Sequence, residues 1–257
     1  MGKTLKNKPL VEAIFELRWR PEEPSLGTPG ARPNYALFLG RISDELGDDY
    51  PFYEQLQSAS IPTEMAKHLV QHRFRKAKDA WPLVQVGPGI ITLNDTKGYT
   101  WAAFRKRLAQ LLEIFFKVAP SSQQGLEIES AVLRYIDAID LDFAKHPVLT
   151  FLASHLKTEL RLPPKLFEDT GVAPDPCELD LRFAFHRARP EGIVRMRFAR
   201  GQRAGTEALI LQTNAESAKD APPKTQQEML TWLEEAHTLT RDWFFALIAG
   251  ELEKRFE

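Results

Sequence analysis

The chain repeats one series of secondary-structure elements, and this repetition limits the possible folds more than any other feature of the sequence. Residues 11–118 have the pattern of a strand, a helix, three short strands and a long helix, and residues 126–256 have that pattern again. A periodicity of this kind predicts a duplicated architecture. Since the two halves share few identical residues, the repeat is one of hydrophobic pattern rather than of sequence identity.

The first strand of each half is marked by alternating side chains. In residues 11–19, apolar residues such as Phe15 and Leu17 alternate with polar residues such as Glu16. This period of two is typical of a strand that is buried on one face. Its counterpart, residues 126–142, changes phase near Val132 and Leu133, which predicts a β-bulge there or a division into two strands.

Helices follow each first strand and close each half. Apolar residues at helical spacing predict a short helix between Asn34 and Gly47, and another after Pro147. Thr100 and Thr225 can each cap the N-terminus of a long amphipathic helix. The second long helix is predicted to bury the apolar residues Met229, Leu233, Ala236, Trp243, Phe244 and Leu247.

Three short strands lie between the helices of each half. They are predicted at residues 68–76, 82–86 and 90–94, and again at 178–186, 193–199 and 208–214. Gly87-Pro88-Gly89 joins two of them, and it is too short to cradle a phosphate group. We therefore interpret it as a hairpin turn.

These patterns together predict an α+β fold. A twisted, mostly antiparallel sheet of about eight strands is built from two strand-helix-three-strand-helix repeats, with the long helices on one face. In outline this resembles saddle-shaped duplicated folds such as the TATA-binding-protein-like group, a likeness of fold that assigns no function. Residues 1–120 and 121–257 are the two repeat halves of one globular unit that shares a sheet.

Composition excludes several classes of protein. The net charge of −1 provides no overall attraction to nucleic acid or membrane. Cys177 is the only cysteine, so the chain has no internal disulfide and no multi-cysteine zinc site, which favours the cytoplasm. No apolar run reaches transmembrane length, so no membrane partner is expected. Standard nucleotide, metalloprotease and hydrolase motifs are missing, and we predict no cofactor and no metal.

Four stretches of the sequence are similar to one known family. They are Asn7-Lys8-Pro9-Leu10-Val11-Glu12-Ala13-Ile14-Phe15-Glu16, then Val84-Gln85-Val86-Gly87-Pro88-Gly89 with Asn94 and Trp101, then Leu133-Arg134-Tyr135-Ile136-Asp137, and Ala236-His237 with Phe244. They resemble motifs of a sporadically distributed bacterial family that has no established activity. Asp137 departs from the pattern, in which asparagine is usual. The resemblance implies a bacterial source and one full-length unit, but no reaction.

Arginines give the strongest functional signal. On the predicted strands they alternate away from the apolar residues, at Arg18, Arg20, Arg73, Arg75, Arg182, Arg195 and Arg197. If helices cover one side of a shared sheet, these side chains gather on the other side, where Arg134 can join them. The planar guanidinium fork suits phosphate and carboxylate groups. The alternative is a solvated face, with cross-strand pairs to Glu12, Glu16 and Asp180.

Carboxylates give a weaker signal for catalysis. Asp137, Asp140 and Asp142 lie at or near the end of one predicted strand, and paired carboxylates there can hold Mg²⁺ for phosphoryl or nucleotidyl transfer. Glu129 and Asp180 could complete such a site. Equally, Asp140 and Asp142 can simply cap a turn. No particular residue is identified as catalytic.

Histidines add no metal site. His68 and His72 share a face of a predicted strand but have no evident third ligand. His237 lies on the apolar side of the last long helix, and we expect it to be a hydrogen-bonded residue that docks this helix.

Three functional hypotheses remain. The first is a non-enzymatic binding module whose arginine-bearing sheet face recognises a nucleic acid or an anionic small molecule. The second is a metal-dependent enzyme that uses Asp137, Asp140 and Asp142. The third is a protein-interaction module, acting as a homodimer or with the product of a neighbouring gene.

Overall fold

A single antiparallel sheet runs through the computed structural model, which describes residues 5–21, 34–96, 98–119 and 126–257. The strands are β1 (Leu10–Trp19), β2 (Phe52–Gln55), β3 (His72–Arg75), β4 (Leu83–Gly87), β5 (Ile90–Asp95), β6 (Ile128–Asp140), β7 (Asp180–Ala188), β8 (Glu191–Arg203) and β9 (Thr206–Ser217). Their order in the nine-stranded sheet is β2-β3-β4-β5-β1-β6-β9-β8-β7. The predicted α+β class and antiparallel sheet are thereby confirmed.

Helices connect the strands and close each half of the chain. They are α1 (Asn34–Leu46), α2 (Trp101–Val118), α3 (Val148–His155), α4 (Gln226–Ile248) and α5 (Glu251–Phe256). As predicted, Thr100 and Thr225 cap α2 and α4, and their side chains accept hydrogen bonds from the backbone N–H groups of Ala103 and Glu228. None of the helices in these described ranges is apolar over a sufficient length to cross a bilayer.

β1 and β6 form the middle of the sheet. Phe15 pairs with Leu133 there, so each half of the chain contributes one central strand. β6 is one continuous strand, and the predicted bulge at Val132 and Leu133 is wrong. Ala131, Val132 and Leu133 are all buried, and burial on both faces of a central strand hides the alternation that marks a half-buried one.

The hydrophobic core lies on one side of this sheet, which we call the helix face. Ala13, Phe15 and Leu17 of β1 pack there in one cluster with buried residues of α1, α2 and α4. A second cluster joins β6, β8 and β9 to α3 and to the C-terminal part of the chain, where Ile248 and Phe256 are buried. The long helices thus cover the sheet from one side.

Two parts of this arrangement differ from the sequence-based expectation. β2 and α5 had not been predicted, so the sheet has one strand more than expected. In α4, Met229, Leu233 and Ala236 are buried as predicted, whereas Trp243, Phe244 and Leu247 are only half-buried. Beside them lies the exposed Phe185 of edge strand β7, whose ring centroid is 5.5 Å from that of Trp243. This end of α4 therefore packs against the edge of the sheet, where its side chains stay partly exposed to solvent.

The segment between β2 and β3 packs against the end of β4. The backbone carbonyl of Leu69 approaches Gly87 so closely that any side chain there would collide with it. His68, which was predicted to lie in a strand, instead has a positive φ in a turn, and its backbone N–H donates to the Pro88 carbonyl over 2.7 Å. Glycine is therefore required at position 87.

Candidate functional site

The sheet surface opposite the helices, which we call the open face, collects the predicted arginines. The strand registers place on it Arg18 of β1, Arg73 and Arg75 of β3, Arg182 of β7, and Arg195 and Arg197 of β8. Arg134 of β6 and Arg203 of β8 also lie there. Arg20 does not, because it follows the end of β1, where it pairs with Glu127 at 2.6 Å.

Asp180 organises the arginines at the β7–β8 end of the open face. Its carboxylate accepts hydrogen bonds from Arg182, at 2.7 Å, and from Arg197, at 2.8 Å. These two guanidinium groups, Arg182 first, hold the pKa of Asp180 well below its usual range. Since two cations share one anion, this cluster keeps a net positive charge. Arg195 lies alongside, 3.2 Å from Glu216.

At the β2–β3 end of the open face, Glu54 is likewise a single carboxylate shared by two arginines. It is 2.7 Å from Arg75 and 3.7 Å from Arg73. Arg75 is only 6% exposed and also donates to the Ala80 carbonyl over 2.9 Å. Its guanidinium is therefore engaged within the edge of the sheet, and its role in binding an anion stays a prediction.

The middle of the open face is more nearly neutral. Arg18 is paired with Glu16 at 2.6 Å, and Glu12 accepts a hydrogen bond from Asn94 over 2.8 Å. Arg134 lies between the two halves, and its buried Nε has no hydrogen-bond partner among the described residues. Arginines therefore outnumber carboxylates at the two ends of the open face rather than in its middle, and at the β7–β8 end these arginines are more exposed.

The candidate metal carboxylates do not come together. Asp137 points to the helix face, whereas Asp140 lies on the open face beside Arg203. Asp142 is 2.8 Å from Lys145. Within the described ranges, no group of three or more His, Cys, Asp or Glu side chains is arranged to hold a metal ion.

Glu129 and Asp180, which could have completed that site, are engaged elsewhere, and the separate pair His68 and His72 does not form a metal site either. Glu129 is 2.9 Å from Lys67 and 3.2 Å from His68. His72 is hydrogen bonded to the Tyr53 hydroxyl over 2.8 Å, and it does not approach His68 as a second ligand. Desolvation lowers the pKa of both histidines, which favours neutral rings at these positions.

A cavity on the helix face was not foreseen from the sequence. It has a volume of about 550 Å³ and lies between the N-terminus of α2, the middle of α4 and β6. Its aromatic lining residues are Tyr99, Trp101, Tyr135, Phe244 and Phe245, and its ionisable ones include Lys8, Asp137, Glu234, His237 and Arg241. This is the size range of pockets that hold small organic ligands.

A hydrogen-bonded network fixes one wall of this cavity. The Tyr135 hydroxyl is 2.8 Å from the Tyr99 hydroxyl and 2.9 Å from Nδ1 of His237. The His237 ring also stacks on Trp101, with ring centroids 3.9 Å apart and planes only 10° from parallel. As expected, His237 helps to dock α4, since it links this helix to both α2 and β6.

Asp137 is the unusual member of the lining. Its side chain is 6% exposed, and none of the described residues donates a hydrogen bond to its carboxyl group. Burial raises the pKa of Asp137 to about 7. The signal for this cavity was present in the sequence, because Trp101, Tyr135, Asp137 and His237 all belong to motifs of the family resemblance. What the sequence does not show is that these motifs meet.

Comparison with known proteins finds no family model that matches this chain and no curated protein that matches it. The site is therefore interpreted from its own geometry.

Proposed function

We propose that this chain is a non-enzymatic binding protein whose open face recognises phosphate groups, carried either by a nucleic acid or by a phosphorylated small molecule. One observation carries the proposal. Asp180 is shared by Arg182 and Arg197, with Arg195 on the same strand as Arg197, so that cations exceed anions on an uncovered surface. Phosphate is the ligand that matches an incompletely neutralised group of guanidinium forks.

Accessibility supports this part of the face as the binding region. The side chain of Arg182 is 71% exposed, and those of Arg195 and Arg197 are also well exposed. Asp180, the partner of Arg182 and Arg197, is exposed and Glu216, the partner of Arg195, is partly exposed, and ion pairs that are open to solvent are weak. A phosphate group can therefore compete for these guanidinium groups without disrupting the core.

The arrangement of the sheet supports a related proposal about its origin. We propose that residues 1–120 and 121–257 are structural repeats that form one unit with a TATA-binding-protein-like outline. The support is the symmetry of the strand order about its centre. β1 and β6 are the central pair, β5 and β9 flank them, and β4 and β8 come next on the two sides. This likeness concerns fold, and it does not itself argue for nucleic acid.

The setting that fits this proposal is the bacterial cytoplasm. Cys177 is a free and exposed thiol, and such a thiol is compatible with a reducing compartment. We therefore propose a ligand that is present inside the cell.

Binding to polyanions under two salt concentrations tests the proposal. The wild-type protein is titrated with single-stranded oligonucleotides, duplex oligonucleotides and common nucleotides, with fluorescence anisotropy or calorimetry as the readout. Affinity for a polyanion should fall steeply with salt, because bound phosphates release counterions. The double variant Arg182→Ala, Arg197→Ala should bind more weakly, and its salt slope should decrease by about 2, roughly 1 for each lost contact.

A charge-matched variant separates a local contact from a change in net charge. Arg161 and Lys224 are exposed and lie outside the sheet, so Arg161→Ala, Lys224→Ala removes the same charge without changing the open face. This control should bind as the wild type does. Equal weakening by both double variants would contradict a site at Asp180, and no binding of any phosphate-bearing ligand would leave the open face as solvated surface.

Edge strand β7 favours a second candidate, a protein-interaction module. β7 ends the sheet, and its Phe183 and Phe185 are 37% and 45% exposed. An unpaired edge is a template for pairing with another chain. A homodimer formed through β7 should dissociate when Phe183→Lys is introduced, as measured by light scattering after size-exclusion chromatography. A wild-type protein that is monomeric at high concentration would exclude that dimer.

A further inference from the structure

Among the described residues, one buried carboxyl group has no partner, and this group lines the cavity described above. A buried ionised carboxylate is strongly disfavoured unless it is paired or hydrogen bonded. Asp137 has neither kind of partner among the described residues, although only 6% of its surface is exposed to solvent. The helix-face positions on either side of it on β6 hold Tyr135 and Ile139, so the acid is flanked by an aromatic and an apolar side chain.

The other charged groups of the lining have contacts of their own. Lys8 donates a hydrogen bond to the Tyr99 carbonyl over 2.7 Å. Glu234 accepts a hydrogen bond from Nε1 of Trp101 over 3.1 Å and also pairs with Arg105. The Arg241 guanidinium lies 5.8 Å from the ring centroid of Phe245. Of the two carboxyl groups in the lining, Asp137 is thus the one that has no donor among the described residues and can accept hydrogen bonds from a ligand.

The walls around Asp137 are aromatic. Rings of Tyr99, Trp101, Tyr135, Phe244 and Phe245 line the cavity, and the faces of such rings carry negative potential. A cation in contact with these faces is attracted to them, and most strongly where water is excluded. The Tyr135 hydroxyl is occupied by its hydrogen bonds, so the wall offers rings more than free polar groups.

From this geometry we infer that the cavity binds a small organic cation, a protonated amine or amidine on an aromatic or apolar body, with its charged nitrogen donating hydrogen bonds to Asp137. The aromatic walls hold the body of the ligand, and the carboxylate receives the N–H groups. This site is on the opposite side of the sheet from the open face, and it does not depend on the phosphate proposal.

Matched probes test this inference. Tryptamine and phenethylamine are compared with indole-3-ethanol and phenethyl alcohol, which have the same bodies with a hydroxyl group in place of the ammonium. Isothermal titration calorimetry of the wild-type protein should detect the amines and not the alcohols. In Asp137→Asn, which keeps the shape of the side chain, affinity for the amines should fall about tenfold to a hundredfold, the loss of one charge-assisted hydrogen bond.

Asp142→Asn is the matched control. It is the same chemical change on an exposed carboxylate outside the cavity, and it should leave amine affinity unchanged.

A pH series gives a readout that does not require any variant. The pKa of Asp137 is raised to about 7 in the free protein, so an amine should bind more tightly at pH 8 than at pH 6 and displace a proton as it binds. Burial lowers the pKa of His237 to about 4 and raises the pKa of Tyr99 and Tyr135, so these groups keep their charge state in this range. The remaining charged groups facing the cavity are Lys8, Glu234 and Arg241.

Several results would overturn the inference. Equal or tighter binding of the alcohols would show that charge is not recognised. Unchanged amine affinity in Asp137→Asn, or an affinity that does not increase with pH, would remove Asp137 from the site. Failure of both amines to bind the folded wild-type protein at millimolar concentrations would show that the cavity does not take this class of ligand.

Discussion

Replacing Asp137 by asparagine should change how stability depends on pH. Burial raises the pKa of Asp137 from 3.8 to about 7. The folded protein therefore holds a proton that the unfolded chain releases, and the stabilising effect of the neutral carboxyl is complete below pH 3.8. That stabilisation is lost as the pH rises through 7. A shift of about three pKa units corresponds to roughly 4 kcal/mol at 1.36 kcal/mol per unit.

The expected result is a difference between two proteins rather than an absolute stability. The free energy of unfolding is measured by urea denaturation for wild type and Asp137→Asn at intervals between pH 5 and pH 8. Asparagine has no proton to lose, so the variant should gain on the wild type by about 1.4 kcal/mol per pH unit between pH 5 and pH 6.5. The gain should level off above pH 7, where the wild-type carboxyl is ionised in both states.

A variant at an exposed carboxylate checks the assignment. Lys145 lowers the pKa of Asp142, so this group is ionised throughout the range, and Asp142→Asn should differ from wild type by a constant amount. If the Asp137→Asn difference were also constant, Asp137 would be ionised in the folded protein at pH 5. The carboxylate would then be hydrated or paired, and the reasoning about the cavity would fail with it.

Local backbone and packing features give further predictions, all measurable as urea midpoints. Gly87→Ala should destabilise the protein by about 1–3 kcal/mol, because its Cβ meets the Leu69 carbonyl, or should prevent folding. Gly40→Ala should instead stabilise it by about 1 kcal/mol, since Gly40 is exposed within α1 and has open space around it. Thr225→Ala should cost about 0.5–2 kcal/mol through loss of the capping box of α4. Tyr135→Phe should cost about 1–3 kcal/mol because two hydrogen-bond partners lose their contact. An unchanged urea midpoint in Gly87→Ala or Tyr135→Phe would contradict the contact described for that residue.

Helix ends were predictable because their signals are local. Thr100 and Thr225 satisfy N–H groups only three residues away, so the sequence around each cap contains all the necessary information. The positions of the strands were harder to predict from the sequence. β2 is a four-residue edge strand with the sequence Phe-Tyr-Glu-Gln, which is too short for its alternation to stand out. β6 is the opposite case, since its burial on both faces removed the polar half of the pattern.

The open face was predictable in part, because the alternation along a strand is also a local signal. Alternation along a strand tells which side an arginine takes, and Arg18, Arg182 and Arg197 lie where it placed them. It does not tell which strands are neighbours, so the pairing of Arg75 with Glu54 and the pairing of Arg195 with Glu216 were not foreseen. The cavity depends even more on long-range packing, because α2, α4 and β6 contribute to it from widely separated parts of the chain.

The pairing of β1 with β6 has a consequence for synthesis of the protein. When the ribosome has made the first half, β1 can pair with β5, but its other edge remains uncovered until β6 follows much later in the chain. Contacts between such distant segments form slowly, because a long loop must close first. An uncovered strand edge also invites pairing with other chains. A nascent chain stalled between the halves should therefore be prone to aggregate, and the second half, supplied as a separate polypeptide, should protect it by adding β6 to that edge.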